Sequence, residues 1–186
     1  RVGDDIYVSG TLGDARLALE VFRGTLSLPA EVFARARARL EQPVPRIALG
    51  MALRGIATAA VDISDGLVGD LGHILSASSR GEHALGAAIQ ADAAIRLLGL
   101  EAPASRGREP GLSPDDRLRY VLAGGDDYEL AFTAPPSARQ AVQAAASHSR
   151  TRITRVGEVV NDGGVRLIDP DGRSRDPGLS SFDHFA

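Results

Sequence analysis

Two short acidic stretches hold the residue types from which a metal- or phosphate-handling site could be built: A-V-D-I-S-D-G-L-V-G-D-L-G-H at residues 60–73 and G-G-D-D-Y-E-L at residues 124–130. The first places Asp62, Ser64 and Asp65 within four positions, behind a short apolar run over residues 56–61 that reads as a buried strand. Leu67, Leu71, Ile74 and Leu75 then carry the spacing of one helix face. The acids are therefore expected at a strand-to-helix corner, with Asp62 closing the strand, Ser64 as N-cap and Asp65 in the first turn beside Gly66. Two carboxylates and a hydroxyl at such a corner suit a hard cation. Mg²⁺ takes one or two protein carboxylates and fills its other positions with water and phosphate oxygens, and a helix N-terminus adds partial positive charge that favours a phosphate. The same residues are also ordinary caps, each stabilising by about 0.5–2 kcal/mol with no ligand present. The second stretch strengthens the site reading, although Asp126 and Asp127 serve equally well as cap or turn residues. Tyr128 and Phe132 are expected in the core, and the lone His73 and His184 as neither ligand nor catalyst.

The elements that must position these groups are read from the chain in order. Residues 6–9 read as a strand, a helix carries Leu17, Leu19, Val21 and Phe22 and stops at Gly24, and a second helix covers about residues 30–40. Arg35, Arg37 and Arg39 alternate with Ala in that second helix, and alternate residues point in different directions, so a solvated surface is expected there. A third helix over residues 46–54 leads into the central strand and corner, whose helix ends near residues 79–81. Strands follow at residues 84–91 and 128–133, helices at 115–122 and 137–147. Residues 99–114, rich in Pro, Gly and Ser, read as a mobile loop. Residues 153–160 and 165–168, joined by Asn161-Asp162-Gly163-Gly164, read as a β-hairpin. The expected class is α+β, a mixed sheet flanked by helices, in a single domain over residues 1–186.

Composition narrows the chemistry. The chain has 186 residues, 44% of them hydrophobic, enough for one substantial core. A net charge of −3 supplies no basic field for nucleic acid or a membrane surface. All 21 basic Lys/Arg positions are Arg, which removes Lys-based phosphate clamps and Schiff-base chemistry, and the absence of Cys removes thiol nucleophiles, disulfides and Cys-bound zinc. There is no G-x-x-x-x-G-K-[ST] loop and no G-x-G-x-x-G after a strand, so a nucleotide site would have to use metal and helix ends. No apolar run approaches the ~20 residues of a membrane span and no signal peptide opens the chain, so a cytoplasmic location is expected. The chain begins Arg1-Val2-Gly3 without Met and reads as part of a longer protein.

Four motifs in order, V-S-G-T-L-G-D-A at residues 8–15, D-I-S-D-G-L at 62–67, G-G-D-D-Y-E-L at 124–130 and F-D-H-F at 182–185, resemble the C-terminal domain of the thiamine-monophosphate kinase family. That family is part of the aminoimidazole ribonucleotide synthetase-like superfamily, and the resemblance implies its C-terminal domain fold. It also implies ATP-dependent phosphorylation of thiamine monophosphate to thiamine diphosphate with Mg²⁺, Asp62 and Asp65 as metal ligands, Ser64 as an ATP contact, and Glu129 and Phe182 as substrate contacts. A family N-terminal domain carrying much of the ATP and metal site, and a homodimer, are implied too. Ser181 stands where the family usually has Gly before its aromatic residue. The isolated chain is accordingly expected to have little or no kinase activity. The competing readings are a synthetase-type enzyme with another acceptor, and a non-catalytic ligand- or partner-binding domain.

Overall fold

The computed structural model describes residues 1–79, 84–99 and 111–179. Its elements are β1 (Asp5–Ser9), α1 (Asp14–Phe22), α2 (Ala30–Glu41), α3 (Ile47–Ala52), β2 (Ala59–Ile63), α4 (Leu67–Ser78), β3 (Gly86–Gln90), α5 (Ala91–Ile95), α6 (Pro114–Ala123), β4 (Glu129–Ala134), α7 (Arg139–Ser149), β5 (Ile153–Val160), β6 (Gly164–Ile168) and β7 (Ser174–Arg175). The strands form one mixed sheet in the order β2-β4-β1-β5-β3-β6-β7. Every neighbouring pair is antiparallel except β3 and β6. The mixed sheet with flanking helices is the class expected from the sequence.

β1 lies near the middle of the sheet and all five of its residues are buried. Side chains alternate across a strand, so its two faces feed two cores. Ile6 and Val8 join Leu17, Leu67, Leu71 and Leu122 beneath α1, α4 and α6. Tyr7 faces the other way and stacks on Phe132 with ring centroids 5.2 Å apart, under Leu49 and Leu53 of the α3 region and Val142 of α7. Burial on both faces explains why the polar end of the strand needs built-in partners. Asp5 accepts from Arg139 Nε at 2.6 Å, from Arg155 and from the Tyr7 hydroxyl.

Several boundaries and one topology differ from expectation. The central strand runs over Ala59–Ile63, so Asp62 lies inside it and does not close it. Ala91, expected to end a strand, and residues 92–95, unassigned from sequence, form α5, and Ser174–Arg175 pair with β6 as β7. Pro114 opens α6 behind the capping hydroxyl of Ser113, and of the expected loop only residues 99 and 111–113 are both loop and described; residues 100–110 lie outside the described residues. The expected hairpin does not form. β5 and β6 sit on opposite sides of β3, and their connection passes over its end. Gly86 makes this possible: a Cβ there would lie 1.8 Å from the Asp162 carbonyl oxygen. The turn-forming residues 161–164 reverse the chain as read, but the space between the strands is filled by a third one whose first residue has no side chain.

Gly86→Ala is expected to destabilise the fold by about 1–3 kcal/mol or more, because the backbone at Asp162 and Gly164 has to move away from the new methyl. Gly72, inside α4 with nothing near its Cβ position, is the matched control. Gly72→Ala should stabilise by roughly 0.5–1 kcal/mol, and urea denaturation of the two variants checks the opposite signs.

Candidate functional site

The acidic corner is set by the end of β2 and the start of α4. Gly66, with φ of 104°, occupies the N-cap position of α4, and Ser64 does not cap it; Asp65 precedes the helix and is not in its first turn. The first-turn acid is Asp70, which sequence reasoning passed over. Its buried carboxylate reaches back and accepts from the backbone N–H groups of Ser64 at 2.9 Å and Asp65 at 3.0 Å. Burial raises the Asp70 carboxyl above its usual range, and the charges of Asp65 and Asp62 push it the same way. Asp62, Asp65 and Asp70 thus share one electrostatic neighbourhood. An acid five positions after a strand-to-helix corner, in a helix's first turn, is the signal that could have revealed it.

The second acidic stretch is joined to this corner through backbone. Asp126 N–H donates to the Ser64 carbonyl at 2.8 Å and Tyr128 N–H to the Ile63 carbonyl at 2.9 Å, continuing the antiparallel register in which Ile63 faces Glu129. To make both bonds, Gly125, Asp126 and Tyr128 adopt φ of 68°, 62° and 50°. The two non-glycine residues cost on the order of 1–3 kcal/mol each in that region, so surrounding contacts must hold them. Asp127 is one such anchor. It is 1% exposed and accepts from Gly13 N–H at 2.7 Å and Ala15 N–H at 3.3 Å, capping α1 from a distant part of the chain. Desolvation pushes its carboxyl up to about 8.

Glu129 is the other anchor. It is 0% exposed, and both oxygens are engaged: Arg46 binds it in bidentate fashion at 2.6 and 2.5 Å, Arg39 Nη2 at 2.6 Å and Ser9 Oγ at 2.5 Å. Arg39 also donates to the Asp127 carbonyl at 3.0 Å. A Cβ on Gly10, at φ of 58°, would lie 2.0 Å from Glu129 Oε1, which accounts for the glycine in V-S-G-T-L-G-D-A. The solvated-surface expectation for the α2 arginines therefore fails for Arg39. It falls seven residues after Val32 and three after Ala36, the buried stripe of the helix. Arg37, by contrast, is an exposed partner of Glu41 at 2.7 Å.

The expected site residues are placed as follows. Asp62 is exposed on the edge strand β2, and Ser64 and Asp65 are half-buried at the corner. Glu129, expected at the substrate, is sealed beneath its two arginines, while Asp126 and Tyr128 keep exposed surface beside Ser64. Tyr128 is 43% exposed, against the core expectation, whereas Phe132 is fully buried. His73 is exposed on α4. Phe182, His184 and the whole F-D-H-F motif lie outside the described residues. Among the described residues no group of three or more His, Cys, Asp or Glu side chains is gathered to hold a metal ion. The donor set at the corner fits a hard cation that takes one or two carboxylates and completes its shell with other oxygens.

Comparison with known proteins bears on this arrangement. The family profile described as AIR synthase related protein, C-terminal domain, matches residues 1–170. The chain is 37% identical over 188 residues to thiamine-monophosphate kinase of Escherichia coli K12, covering 99% of this chain and 53% of that protein. It thus spans about half the length of the curated relatives it matches. A crystal structure of thiamine-monophosphate kinase from Stenotrophomonas maltophilia K279a superposes with a TM-score of 0.74 at 40% identity, covering 94% of this chain and 52% of that one. AaThiL, solved in complex with AMPPCP and TMP, superposes with a TM-score of 0.70 at 28% identity, covering 100% and 52%.

Asp127 gives the site a pH signature. Between the unfolded carboxyl value of about 3.9 and its folded value of about 8, the folded chain holds a proton that the unfolded chain has released. Its contribution to stability therefore falls as pH rises through that window, by up to about 1.4 kcal/mol per pH unit, and is flat outside it. Asp127→Asn keeps an acceptor for Gly13 without the titration and should flatten that slope. Asp127→Ala leaves the α1 N–H groups unpaired and should cost about 1–3 kcal/mol at any pH. Denaturant titrations at about pH 5, 6.5 and 8 read both effects; equal slopes in the parent and the Asn variant would contradict the assignment.

Proposed function

The chain belongs to the AIR synthase related protein family as its C-terminal domain, and on that premise we propose that it is the C-terminal half of a thiamine-monophosphate kinase, transferring the γ-phosphoryl group of ATP to thiamine monophosphate to give thiamine diphosphate. The observation that carries the reading is the backbone joining of D-I-S-D-G-L to G-G-D-D-Y-E-L, which gathers the two acidic motifs at one end of the sheet. AaThiL, a structural relative over the whole chain, was solved with AMPPCP and TMP, which are of the co-substrate and acceptor types that the reaction needs.

Phosphoryl transfer asks a protein mainly for positioning and for neutralisation of charge. Asp62 and Asp65 would hold Mg²⁺, which supplies charge neutralisation on the phosphate oxygens when bound. Asp70, by taking the Ser64 and Asp65 N–H groups, fixes the backbone from which Ser64 and Asp65 extend, so that the Ser64 hydroxyl can meet an ATP phosphate. Glu129 serves the substrate through the loop it anchors: its ion pairs with Arg39 and Arg46 help to keep Gly125, Asp126 and Tyr128 in their left-handed conformations, with Asp126 and Tyr128 at the surface. In this reading Phe182 offers an aromatic face to the thiazolium cation, an interaction of about 0.5–2 kcal/mol. The rest of the ATP and metal site, a homodimeric assembly and a cytoplasmic location belong to the same proposal, for the longer protein.

The test is steady-state kinase assay of the longer protein carrying this chain, with thiamine monophosphate and a panel of other phosphate acceptors. Asp62→Asn and Asp65→Asn are each expected to lower kcat by about a hundredfold or more, because metal-borne charge stabilisation is worth several kcal/mol. Near-parental turnover in both variants would leave only a binding role for the domain, and preference for another acceptor would move the enzyme to a different branch of the family. Residues 1–186 alone should show little or no turnover.

A further inference from the structure

Among the described residues, three that are not glycine adopt positive φ: Asp126, Tyr128 and Arg150. Two of them have local reasons. Asp tolerates the left-handed region better than most side chains, and Arg150 stands at the end of α7, where a left-handed residue commonly closes a helix. Tyr128 has neither reason. A bulky aromatic residue at φ of 50° is an outlier, and glycine could make the same N–H bond to the Ile63 carbonyl without the cost.

The Tyr128 side chain gives nothing back to the fold. The chain has three tyrosines. Tyr7 is buried, stacks on Phe132 and donates to Asp5, and Tyr120 packs against the larger core. Tyr128 belongs to neither core, is 43% exposed, and its hydroxyl has no hydrogen-bond partner among the described residues. An aromatic ring held at the surface by a strained backbone, with no packing role, is placed for something outside the chain. Its surroundings select what that is. The bond to Ile63 sets Tyr128 against the end of β2, at the corner where Asp62, Asp65 and Asp126 keep accessible surface. Carboxylates and the face of an aromatic ring both attract a cation, and a flat organic cation can use the two together.

We propose that Tyr128 is a specificity residue of the acidic corner, whose ring covers the cationic thiazolium of the acceptor. The assignment rests on the kinase reading for the identity of that cation. The neutral adenine ring of ATP gains no charge attraction from the corner's acids, so the contact separates acceptor from nucleotide.

Calorimetric titration of the longer protein carrying this chain tests the assignment without turnover, using thiamine monophosphate and its neutral analogue in which a thiophene replaces the thiazolium. Tyr128→Leu should weaken thiamine monophosphate about fivefold or more and leave the thiophene analogue and AMPPCP within about twofold, whereas Tyr128→Phe should keep the parental preference. In the 186-residue chain, Tyr128→Gly should raise the urea midpoint, because the backbone cost is relieved and no packing is lost. An equal loss for both ligands, an unchanged preference in the Leu variant, a lost preference in the Phe variant, weakened AMPPCP binding, absence of thiamine monophosphate binding, or a lowered urea midpoint would each overturn it. Binding as expected with no phosphoryl transfer fails the kinase reading alone, and normal turnover with an unchanged preference in the Leu variant fails this assignment alone.

Discussion

The organisation of this domain rests on a carboxylate with no access to water. Glu129 opens β4 with 0% exposure and is met by one hydroxyl and two guanidinium groups from three other parts of the chain. Removing one partner of such a cluster leaves an uncompensated buried charge, usually a loss of about 3–5 kcal/mol, so Ser9, Arg39, Arg46 and Glu129 stand or fall together. Through them the end of β1, the inner face of α2 and the approach to α3 are registered against one strand. Gly10 has no room for a side chain because the carboxylate occupies it.

The acidic corner is built by the same logic of displaced roles. The conspicuous acids do not all face solvent. Asp127 caps α1, Asp70 satisfies the backbone of the corner, and Glu129 ties down the loop, leaving Asp62, Asp65 and Asp126 with accessible surface. Three of these six acids thus hold the other three in place. Without the inner group, the left-handed residues of the G-G-D-D-Y-E-L loop would have nothing to offset their backbone cost.

Much of the fold was legible because it is encoded locally. Apolar spacing in α1, α4 and α6 and alternation in β1, β4 and β5 gave those elements to within a few residues. The two acidic motifs could be recognised as a pair from residue types alone, and motif resemblance led to the family that the profile match supports. What escaped was non-local. Nothing near Glu129 announces that Arg39 and Arg46, 90 and 83 residues earlier, will close on it, although the Val32-Ala36-Arg39 stripe marks Arg39 as inward-facing. The hairpin expectation failed for a related reason. A turn specifies that the chain reverses, but not that the two arms become neighbours, and β3 entered between them.

The sheet order has a consequence for how the chain reaches this state. Among the described strands only β6 and β7 are neighbours both in sequence and in the sheet; every other pairing skips at least one strand. Ser9 meets Glu129 across 120 residues and Asp5 meets Arg155 across 150. Closing such distances costs loop entropy before any contact offsets it, which places the domain with slow, high-contact-order folders. Of the described strands β1 emerges first during synthesis and has to wait, with Ile6, Tyr7 and Val8 uncovered, until β4 and β5 exist to flank it. The strand most deeply buried in the finished molecule is therefore the one left exposed longest on the way, and the acidic corner, which depends on β4, is assembled late.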